Sequence, residues 1–263
     1  MDSKQFNIGL VLSGGGARGY AHLGFLEALN EAGIYPDVIA GTSAGAIAGA
    51  LYADGYSPRE ILLFTNSAKR FDLMKPTLPR ESLLQISGLI KIIQTYLRAK
   101  TFADLKIPLY VTATDINNAK AVYFSEGDLL DVIIASASIP VMFPPVRIGE
   151  SMFVDGGVMD NFPVSAIEKK CKILIGSFVN QVGPIEKFSG LMKLAERTFM
   201  LSMSKEIIEK SRRFDLCIAP EALKDYKVLD TSKAEEMFNI GYLDTREKLK
   251  NFDIKKLLKD RSE

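Results

Sequence analysis

The stretch Val38-Ile39-Ala40-Gly41-Thr42-Ser43-Ala44-Gly45 places a serine in a Gly-x-Ser-x-Gly turn. Its first three residues predict a short buried strand, and the alanine-rich sequence from Ala44 to Tyr52 predicts a helix. A strand, a sharp turn and a helix in this order form a nucleophile elbow, which exposes a serine hydroxyl on a strained backbone. Gly41 and Gly45 fit this interpretation because such a turn leaves no space for side chains there. Ser43 is therefore a candidate nucleophile, and the alternative is an ordinary turn of small residues.

A loop with three consecutive glycines precedes the elbow in the chain. The loop is Ser13-Gly14-Gly15-Gly16-Ala17-Arg18-Gly19, between a predicted strand over Asn7 to Leu12 and a predicted helix over Tyr20 to Ala32. Glycines at a helix N-terminus let backbone N–H groups converge on one point, where the helix adds positive potential. Beside the elbow, this loop predicts an oxyanion hole made by Gly14, Gly15 and Gly16, with Arg18 positioning the loop and adding positive charge.

The same loop also fits the G-x-G-x-x-G pattern of dinucleotide-binding proteins, through Gly14, Gly16 and Gly19. Two features disfavour this alternative. Asp37 precedes the second strand, whereas a ribose-binding acid would end that strand. The second strand also leads into the elbow. A Walker phosphate loop is excluded because no Gly-Lys-Ser or Gly-Lys-Thr follows the glycines.

The base that would activate Ser43 has few candidates, because the chain contains one histidine, His22. His22 lies one turn into the predicted first helix, where we expect it to pack under the glycine loop. A carboxylate must then take the serine proton. Asp155 is the best candidate because it ends an apolar strand and precedes two glycines, and burial would raise its pKa. Asp115 and Asp160 are weaker alternatives.

Strands alternate with helices along the chain, which predicts an α/β fold with a largely parallel sheet covered on both faces. No linker, repeat or low-complexity tract is evident, so residues 1–263 are interpreted as one domain. The catalytic motifs lie within 7–165, and 166–263 is expected to complete the sheet and its helical cover. Further predicted elements are a helix starting at Ser57-Pro58-Arg59-Glu60, strands over Leu109 to Thr114, Ala121 to Phe124, Ser151 to Val154, Ile173 to Val179 and Leu216 to Ile218, a helix over Leu129 to Ser136, a rigid loop over Ile139 to Pro145 and a helix over Phe188 to Arg213.

Composition restricts the functional classes. The formal net charge is +1, which gives no electrostatic argument for nucleic acid or a strongly anionic surface. Cys171 and Cys217 form neither a disulfide framework nor a metal-ligand cluster, and both are expected to be buried in a reducing compartment. The longest apolar stretch, Leu129 to Val146, contains Asp131 and three prolines, which exclude a membrane span. Because the N-terminus also has no apolar signal segment, we expect a soluble, cytoplasmic protein.

Taken together, these motifs resemble the patatin-like phospholipases. The similarity covers Asn7 to about Ile175, and motifs at this spacing are together highly specific. The residues that carry it are Gly14-Gly15-Gly16-Ala17-Arg18-Gly19 with His22 and Gly24, Gly41-Thr42-Ser43-Ala44-Gly45, Ser136-x-x-x-Pro140-x-x-Phe143-x-Pro145, Asp155-Gly156-Gly157, and Asp160-Asn161-x-Pro163.

The resemblance implies a three-layer α/β/α fold with a mainly parallel central sheet, and hydrolysis of acyl ester bonds in lipids. It also implies a catalytic dyad of Ser43 and Asp155, with the backbone of Gly14 to Gly16 and Arg18 serving the oxyanion. The length of the chain suits a stand-alone bacterial-type member without cyclic-nucleotide or membrane domains.

We therefore expect a serine esterase or phospholipase that cleaves phospholipids, lysophospholipids or related acyl esters, with neither a metal nor an organic cofactor. The alternatives are a non-catalytic lipid-binding or regulatory module and a dinucleotide-binding protein that uses the glycine loop. The expected partners are a lipid or acyl ester substrate and a transient membrane surface, not nucleic acid. Head group, chain length and oligomeric state stay open.

An apolar helix predicted over Ser82 to Ala99 has two interpretations. Leu83, Ile86, Ile90, Ile93 and Leu97 recur on one face, and other apolar side chains lie outside that face. We favour packing in the core or against another subunit. The alternative is a lipid-facing lid over the acyl site.

Overall fold

The structure is a computed structural model that describes residues 5–67, 75–76, 84–85, 87–184, 190–204 and 207–261. Ten strands and nine α-helices are found within these residues. The strands are β1 (Phe6–Leu12), β2 (Val38–Thr42), β3 (Lys75–Pro76), β4 (Leu84–Gln85), β5 (Leu109–Asp115), β6 (Lys120–Phe124), β7 (Val146–Ile148), β8 (Ser151–Asp155), β9 (Cys171–Ser177) and β10 (Leu216–Ile218). The helices are α1 (Tyr20–Glu31), α2 (Ala44–Ala53), α3 (Pro58–Ser67), α4 (Ser87–Tyr96), α5 (Leu129–Ser136), α6 (Leu191–Ser204), α7 (Ile207–Ser211), α8 (Ala234–Leu249) and α9 (Ile254–Asp260).

Eight strands form one mixed sheet in the order β10-β9-β1-β2-β5-β8-β7, with β6 also paired to β5. Strands β10, β9, β1, β2 and β5 are mutually parallel, whereas the pairs of β5 with β6, β5 with β8 and β7 with β8 are antiparallel. Strands β3 and β4 form a separate antiparallel ribbon. The central sheet is thus mostly parallel and flanked by helices, which confirms the predicted fold class.

The two faces of the sheet bury alternate residues of the same strand. On β1, Leu10 and Leu12 belong to the main core, which includes side chains of α1, α2, α3 and α8. Val11 belongs to a second cluster, built with Phe162 and Phe178. Both faces of β1 are therefore apolar, as expected for a central parallel strand.

The structure differs from the sequence-based prediction at several points. Strand β7 is absent from that prediction because the proline-rich segment before it favours a loop. The helix predicted over Phe188 to Arg213 is described as two helices, α6 and α7, while residues 188–189 and 205–206 lie outside the described residues. Of the two cysteines, Cys171 is buried but Cys217 is only partly buried. None of these differences moves the elbow or the glycine loop.

Of the helix predicted over Ser82 to Ala99, the structure has α4 over Ser87–Tyr96, while Leu84–Gln85 form strand β4 and the prediction is wrong there; residues 82–83 and 86 lie outside the described residues. Ile93 is 1% exposed and belongs to the main core. Ile90 is partly buried against a cluster that contains Met142 and Phe143. The described part of this helix therefore packs in the core, as favoured, and does not form a lid that faces lipid.

Replacing Ile93 with aspartate is expected to lower the free energy of unfolding by more than about 3 kcal/mol, because it buries a carboxylate among apolar side chains. Leu243→Asp is the control, since Leu243 on α8 is 61% exposed; there we expect a change within about 0.5 kcal/mol. Urea unfolding of both variants measures the difference. Equally small effects would place this face of α4 on the surface.

The topology brings the end of β2 to the end of β8. Thr42 of β2 pairs with Thr112 of β5 in parallel, and Asp155 of β8 pairs with the next β5 residue, Ala113, in antiparallel orientation. The other edge of β5 pairs with β6 over Val111 to Asp115. Strands β2 and β8 therefore approach each other end to end along one edge of β5, and the residues that follow β2 lie beside Asp155.

Candidate active site

Ser43 lies in a strained turn between β2 and α2. Its backbone has φ 52° and ψ −118°, a conformation that residues with a side chain rarely adopt. The Ser43 N–H donates to the Ser136 hydroxyl at 2.8 Å, and that hydroxyl donates to the Thr112 carbonyl at 2.6 Å. A methyl group built on Gly45 would strike the Leu12 carbonyl, so the elbow admits no side chain there. Ser136 belongs to a predicted motif, but its role in fixing the elbow was not predicted.

Asp155 lies beside Ser43 at the end of β8 and is 1% exposed. Its carboxyl group lines the same cleft as the Ser43 side chain, and Oδ1 accepts from the Gly157 N–H at 2.7 Å. Burial raises the pKa of Asp155 to about 7, although the interactions with the Ser43 side chain and the Gly157 N–H oppose the shift. A carboxylate with a pKa near neutrality is a far better base for a hydroxyl than an ordinary aspartate.

The alternative carboxylates, Asp115 and Asp160, make no hydrogen bond with Ser43. Asp115 accepts from the Asn118 side chain at 2.8 Å, and its pKa is lowered by its hydrogen bonds, first of all that one. Asp160 forms an ion pair with Lys210 at 2.7 Å and accepts from the Tyr123 hydroxyl at 2.6 Å. Both carboxylates are therefore held by other partners.

His22 is fully buried under the glycine loop. Its Nε2 is 2.8 Å from the Ser13 carbonyl oxygen and its Nδ1 is 2.9 Å from the Ser177 hydroxyl. Because a carbonyl only accepts, Nε2 carries the proton and Nδ1 accepts from Ser177. Burial lowers the pKa of His22 to about 4, so the ring is neutral at pH 7. Both ring nitrogens are thus occupied away from Ser43.

Two backbone amides of the glycine loop lie at the cleft without a hydrogen-bond acceptor among the described residues. Among the described residues, the N–H groups of Gly15 and Gly16 have no hydrogen-bond acceptor, and both residues line the cleft that contains Ser43 and Asp155. Gly14 differs, because its N–H donates to the Asn161 carbonyl at 3.1 Å. Gly16 has φ 57°, and a side chain there would strike the Val228 carbonyl. The geometry therefore favours Gly15 and Gly16 as oxyanion donors.

Arg18 points away from Ser43 and holds the loop from behind. Its guanidinium donates to three backbone carbonyls, those of Tyr226 at 2.8 Å, Lys224 at 3.3 Å and Gln181. The residue is 6% exposed, and burial lowers its pKa to about 10, which leaves it cationic at pH 7. These contacts support the loop-positioning part of its predicted role.

Arg18→Ala is expected to lower kcat more than it raises KM, because loss of the three contacts displaces the amides of the loop. The free energy of unfolding should fall by about 3 kcal/mol, since three buried carbonyls lose a charged donor. Steady-state kinetics and urea unfolding test both statements. Arg18→Lys, which keeps the charge but not the three-way contact, should recover little. An unchanged kcat would show that Arg18 does not position the loop for catalysis.

An apolar cavity of about 170 Å³ opens beside Ser43. Its walls come from the start of α1, from α2 and α3, from the proline-rich loop and from the segment between β10 and α8. The apolar lining residues include Tyr20, Leu23, Ile47, Ile61, Ile139, Phe143, Val228 and Leu229. The sequence pattern did not predict this contribution of Val228 and Leu229, which are linked to the glycine loop by the Ala17 N–H donating to the Val228 carbonyl at 2.6 Å.

A narrow cleft beside Ser43 and Asp155 is covered by α6. Glu196, Phe199, Met200 and Met203 line it together with Ser43 and Asp155. The opposite side of α6 exposes Leu191 and Leu201, which are 79% and 50% exposed. The sequence predicted a helix here but gave no sign that it covers the site.

A serine in a strained turn between a strand and a helix, beside a buried carboxylate at the end of a mostly parallel sheet, is typical of the serine hydrolases with an α/β fold. The family profile described as patatin-like phospholipase matches residues 10–167. Since this is more than half of the chain, the chain belongs to the patatin-like phospholipase family. The family membership and the relatives described next support the predicted enzyme class, an esterase or phospholipase.

Among curated proteins, the chain is 30% identical to lysophospholipase NTE1 of Kluyveromyces lactis, over 89% of this chain and 18% of that protein. It is 29% identical to an NTE family protein of Mycobacterium bovis, over 92% of this chain and 44% of that protein. The chain thus spans less than half the length of these relatives. The activity of a whole relative therefore does not by itself define the activity of this chain.

Among solved structures, VipD from Legionella pneumophila superposes with a TM-score of 0.56 at 16% identity, over 98% of this chain and 67% of that one. At this identity the similarity shows the fold alone. As to membranes, no helix in the described part of the chain combines the length and apolar character that a bilayer crossing needs.

Proposed function

We propose that the protein hydrolyses carboxylic ester bonds of phospholipids or lysophospholipids, with Ser43 as nucleophile and Asp155 as base. The observation that carries the proposal is the buried Asp155 carboxyl beside the Ser43 side chain in one cleft, next to an apolar cavity. No histidine takes part, because His22 is held by Ser13 and Ser177.

The reaction would proceed in two stages. Asp155 accepts the hydroxyl proton while Ser43 Oγ attacks the acyl carbonyl carbon. The resulting oxyanion accepts hydrogen bonds from the amides of Gly15 and Gly16, and one such donor is typically worth about 3 to 4 kcal/mol. The alcohol leaves with the proton from Asp155, and an acyl group stays on Ser43. Water then hydrolyses the acyl-enzyme.

The shape of the site supports a lipid substrate. The apolar cavity beside Ser43 suits the start of an acyl chain, because its lining is almost wholly apolar and it adjoins the nucleophile. The relatives named lysophospholipases point to a phospholipid with one or two chains. The leucines that α6 exposes on the side opposite the cleft support transient contact with a lipid surface during catalysis.

Turnover of a lipid panel tests this proposal. The protein is incubated with lysophosphatidylcholine, phosphatidylcholine and monoacylglycerol, and released fatty acid is measured. A fluorophosphonate is used in parallel, and the modified residue is identified by peptide mass spectrometry. We expect release from at least one phospholipid and an adduct on Ser43. Binding of lipid without release or adduct would favour the non-catalytic lipid-binding module.

A further inference from the structure

A second cavity lies on the Asp155 side of the site, away from the apolar cavity. It has a volume of about 60 Å³, and its polar lining comes from Asn161, Ser202 and Lys210; we call it the polar cavity. Gly157 and Met203 also line it, and Met203 lines the cleft over the dyad as well. A space of this size holds more than one water molecule.

Asn161 is the unusual member of this lining. The residue is 4% exposed, and neither its Oδ1 nor its Nδ2 has a hydrogen-bond partner among the described residues. Buried amides of this kind nearly always have partners, so an unpartnered one needs an explanation. The Asn161 backbone is already occupied, because its carbonyl accepts from the Gly14 N–H at 3.1 Å. The side chain is therefore available for a ligand that enters the polar cavity.

The Asn161 amide lies next to both members of the dyad. A methyl group built on Gly157 would be 3.0 Å from Asp155 Oδ1 and 3.1 Å from Asn161 Oδ1. One built on Gly14 would strike Asn161 Oδ1 and lie 3.3 Å from Ser43 Cβ. Two independent points thus place the amide, which lines the polar cavity, close to both reacting groups. Two of the residues around the cavity mouth, Val158 and Met159, are exposed, which gives water access from the surface.

We propose that the polar cavity supplies the water that hydrolyses the acyl-enzyme, and that Asn161 is a positioning residue that holds this water toward Asp155. The inference rests on the proposed function. With an acyl chain in the apolar cavity, water cannot approach from that side. Water from the polar cavity gives a proton to the Asp155 carboxylate as its oxygen bonds to the acyl carbon. The bond from that carbon to Ser43 Oγ then breaks, Oγ takes the proton from Asp155, and the fatty acid leaves.

A role of Asn161 in deacylation affects ester turnover but not fluorophosphonate labelling of Ser43, whereas a purely structural role would change both rates together. Fluorophosphonate labelling of Ser43 needs the dyad and the oxyanion hole but no water. Turnover of a p-nitrophenyl ester needs deacylation as well. Asn161→Leu, close in volume, should label at a rate within about twofold of the wild type, while kcat falls between about tenfold and a hundredfold. Intact-protein mass spectrometry during turnover should show acyl-enzyme accumulating on the variant.

Thr245→Val is the matched control, because Thr245 is a fully buried polar residue of α8. It lines neither the apolar cavity, nor the cleft under α6, nor the polar cavity. It should leave both rates unchanged. If Asn161→Leu does not fold, Asn161→Ala is measured in the same way. Equal losses of labelling and turnover, or unchanged turnover, would overturn the role of Asn161. A wild type that is neither labelled nor active would instead contradict the proposed function.

Discussion

Asp155→Asn is expected to lower kcat/KM on a soluble ester by about four orders of magnitude, as loss of the acid–base partner of a nucleophilic serine does elsewhere. The amide cannot accept the Ser43 proton, although its shape preserves the packing. His22→Gln should act only through the glycine loop, with a loss of about tenfold or less and a free energy of unfolding lowered by about 1 to 2 kcal/mol. A dead but folded His22→Gln enzyme beside an active Asp155→Asn enzyme would overturn the dyad.

The pH dependence of kcat/KM of the wild type should follow the ionisation of Asp155. Burial raises the pKa of Asp155 to about 7, and the base must be ionised to act. On the acidic side, kcat/KM should therefore rise with pH and reach half its maximum near pH 7. His22 has a pKa lowered to about 4 and makes no contact with Ser43, so His22→Gln should leave this midpoint in place. A midpoint that disappears in His22→Gln would identify the histidine as the base.

The free energy of unfolding should fall as pH rises, whereas kcat/KM rises. Asp155 has a folded-state pKa raised from 3.8 to about 7, so the unfolded chain ionises it first as pH rises. The folded state consequently loses stability between about pH 4 and pH 7, on the order of a few kcal/mol. Asp155→Asn removes this loss and should be more stable than the wild type at pH 8, with the difference vanishing near pH 3. Urea unfolding at both pH values measures it, and an equal difference at the two values would count against a raised pKa.

Local sequence signals predicted the elements that carry the site because each turn has a local steric requirement. The elbow needs small residues around Ser43, and the glycine loop needs Gly16 at φ 57° against the Val228 carbonyl. These requirements act over a few residues and leave a recognisable pattern. The fold class followed in the same way from alternating apolar strands and helices.

Contacts between distant segments could not be predicted from such patterns. Asp155 reaches Ser43 because β8 runs antiparallel along the edge of β5 that β2 occupies, and no local pattern encodes that pairing. The same is true of Arg18, whose partners are carbonyls of later loops, and of Asn161, whose significance lies in the partners that it lacks. The candidate reacting groups are therefore predictable from local sequence patterns, whereas the contacts that hold them arise from the fold.

Ser43→Ala is expected to abolish turnover, with kcat lower by about five to six orders of magnitude, because no other group in the cleft can form the acyl-enzyme. The fluorophosphonate adduct should disappear with it. Ser138→Ala is the matched control: Ser138 is a buried serine near the site, but its hydroxyl donates to the Ile134 carbonyl at 2.8 Å. It should retain most of the activity and be labelled at Ser43. An adduct on another serine, or turnover by a folded Ser43→Ala protein, would refute the assignment.

The backbone of Ser43 provides a test of the elbow that does not depend on activity. At φ 52° and ψ −118°, any residue with a Cβ atom is strained, and glycine is not. Ser43→Ala keeps this strain, whereas Ser43→Gly relieves it, so the glycine variant should be the more stable of the two by about 1 kcal/mol. In a regular helix the order would be reversed, because glycine costs about 1 kcal/mol relative to alanine there. Urea unfolding of the two inactive variants thus tests whether the candidate nucleophile lies in a strained turn. An alanine variant more stable than the glycine variant would contradict the elbow.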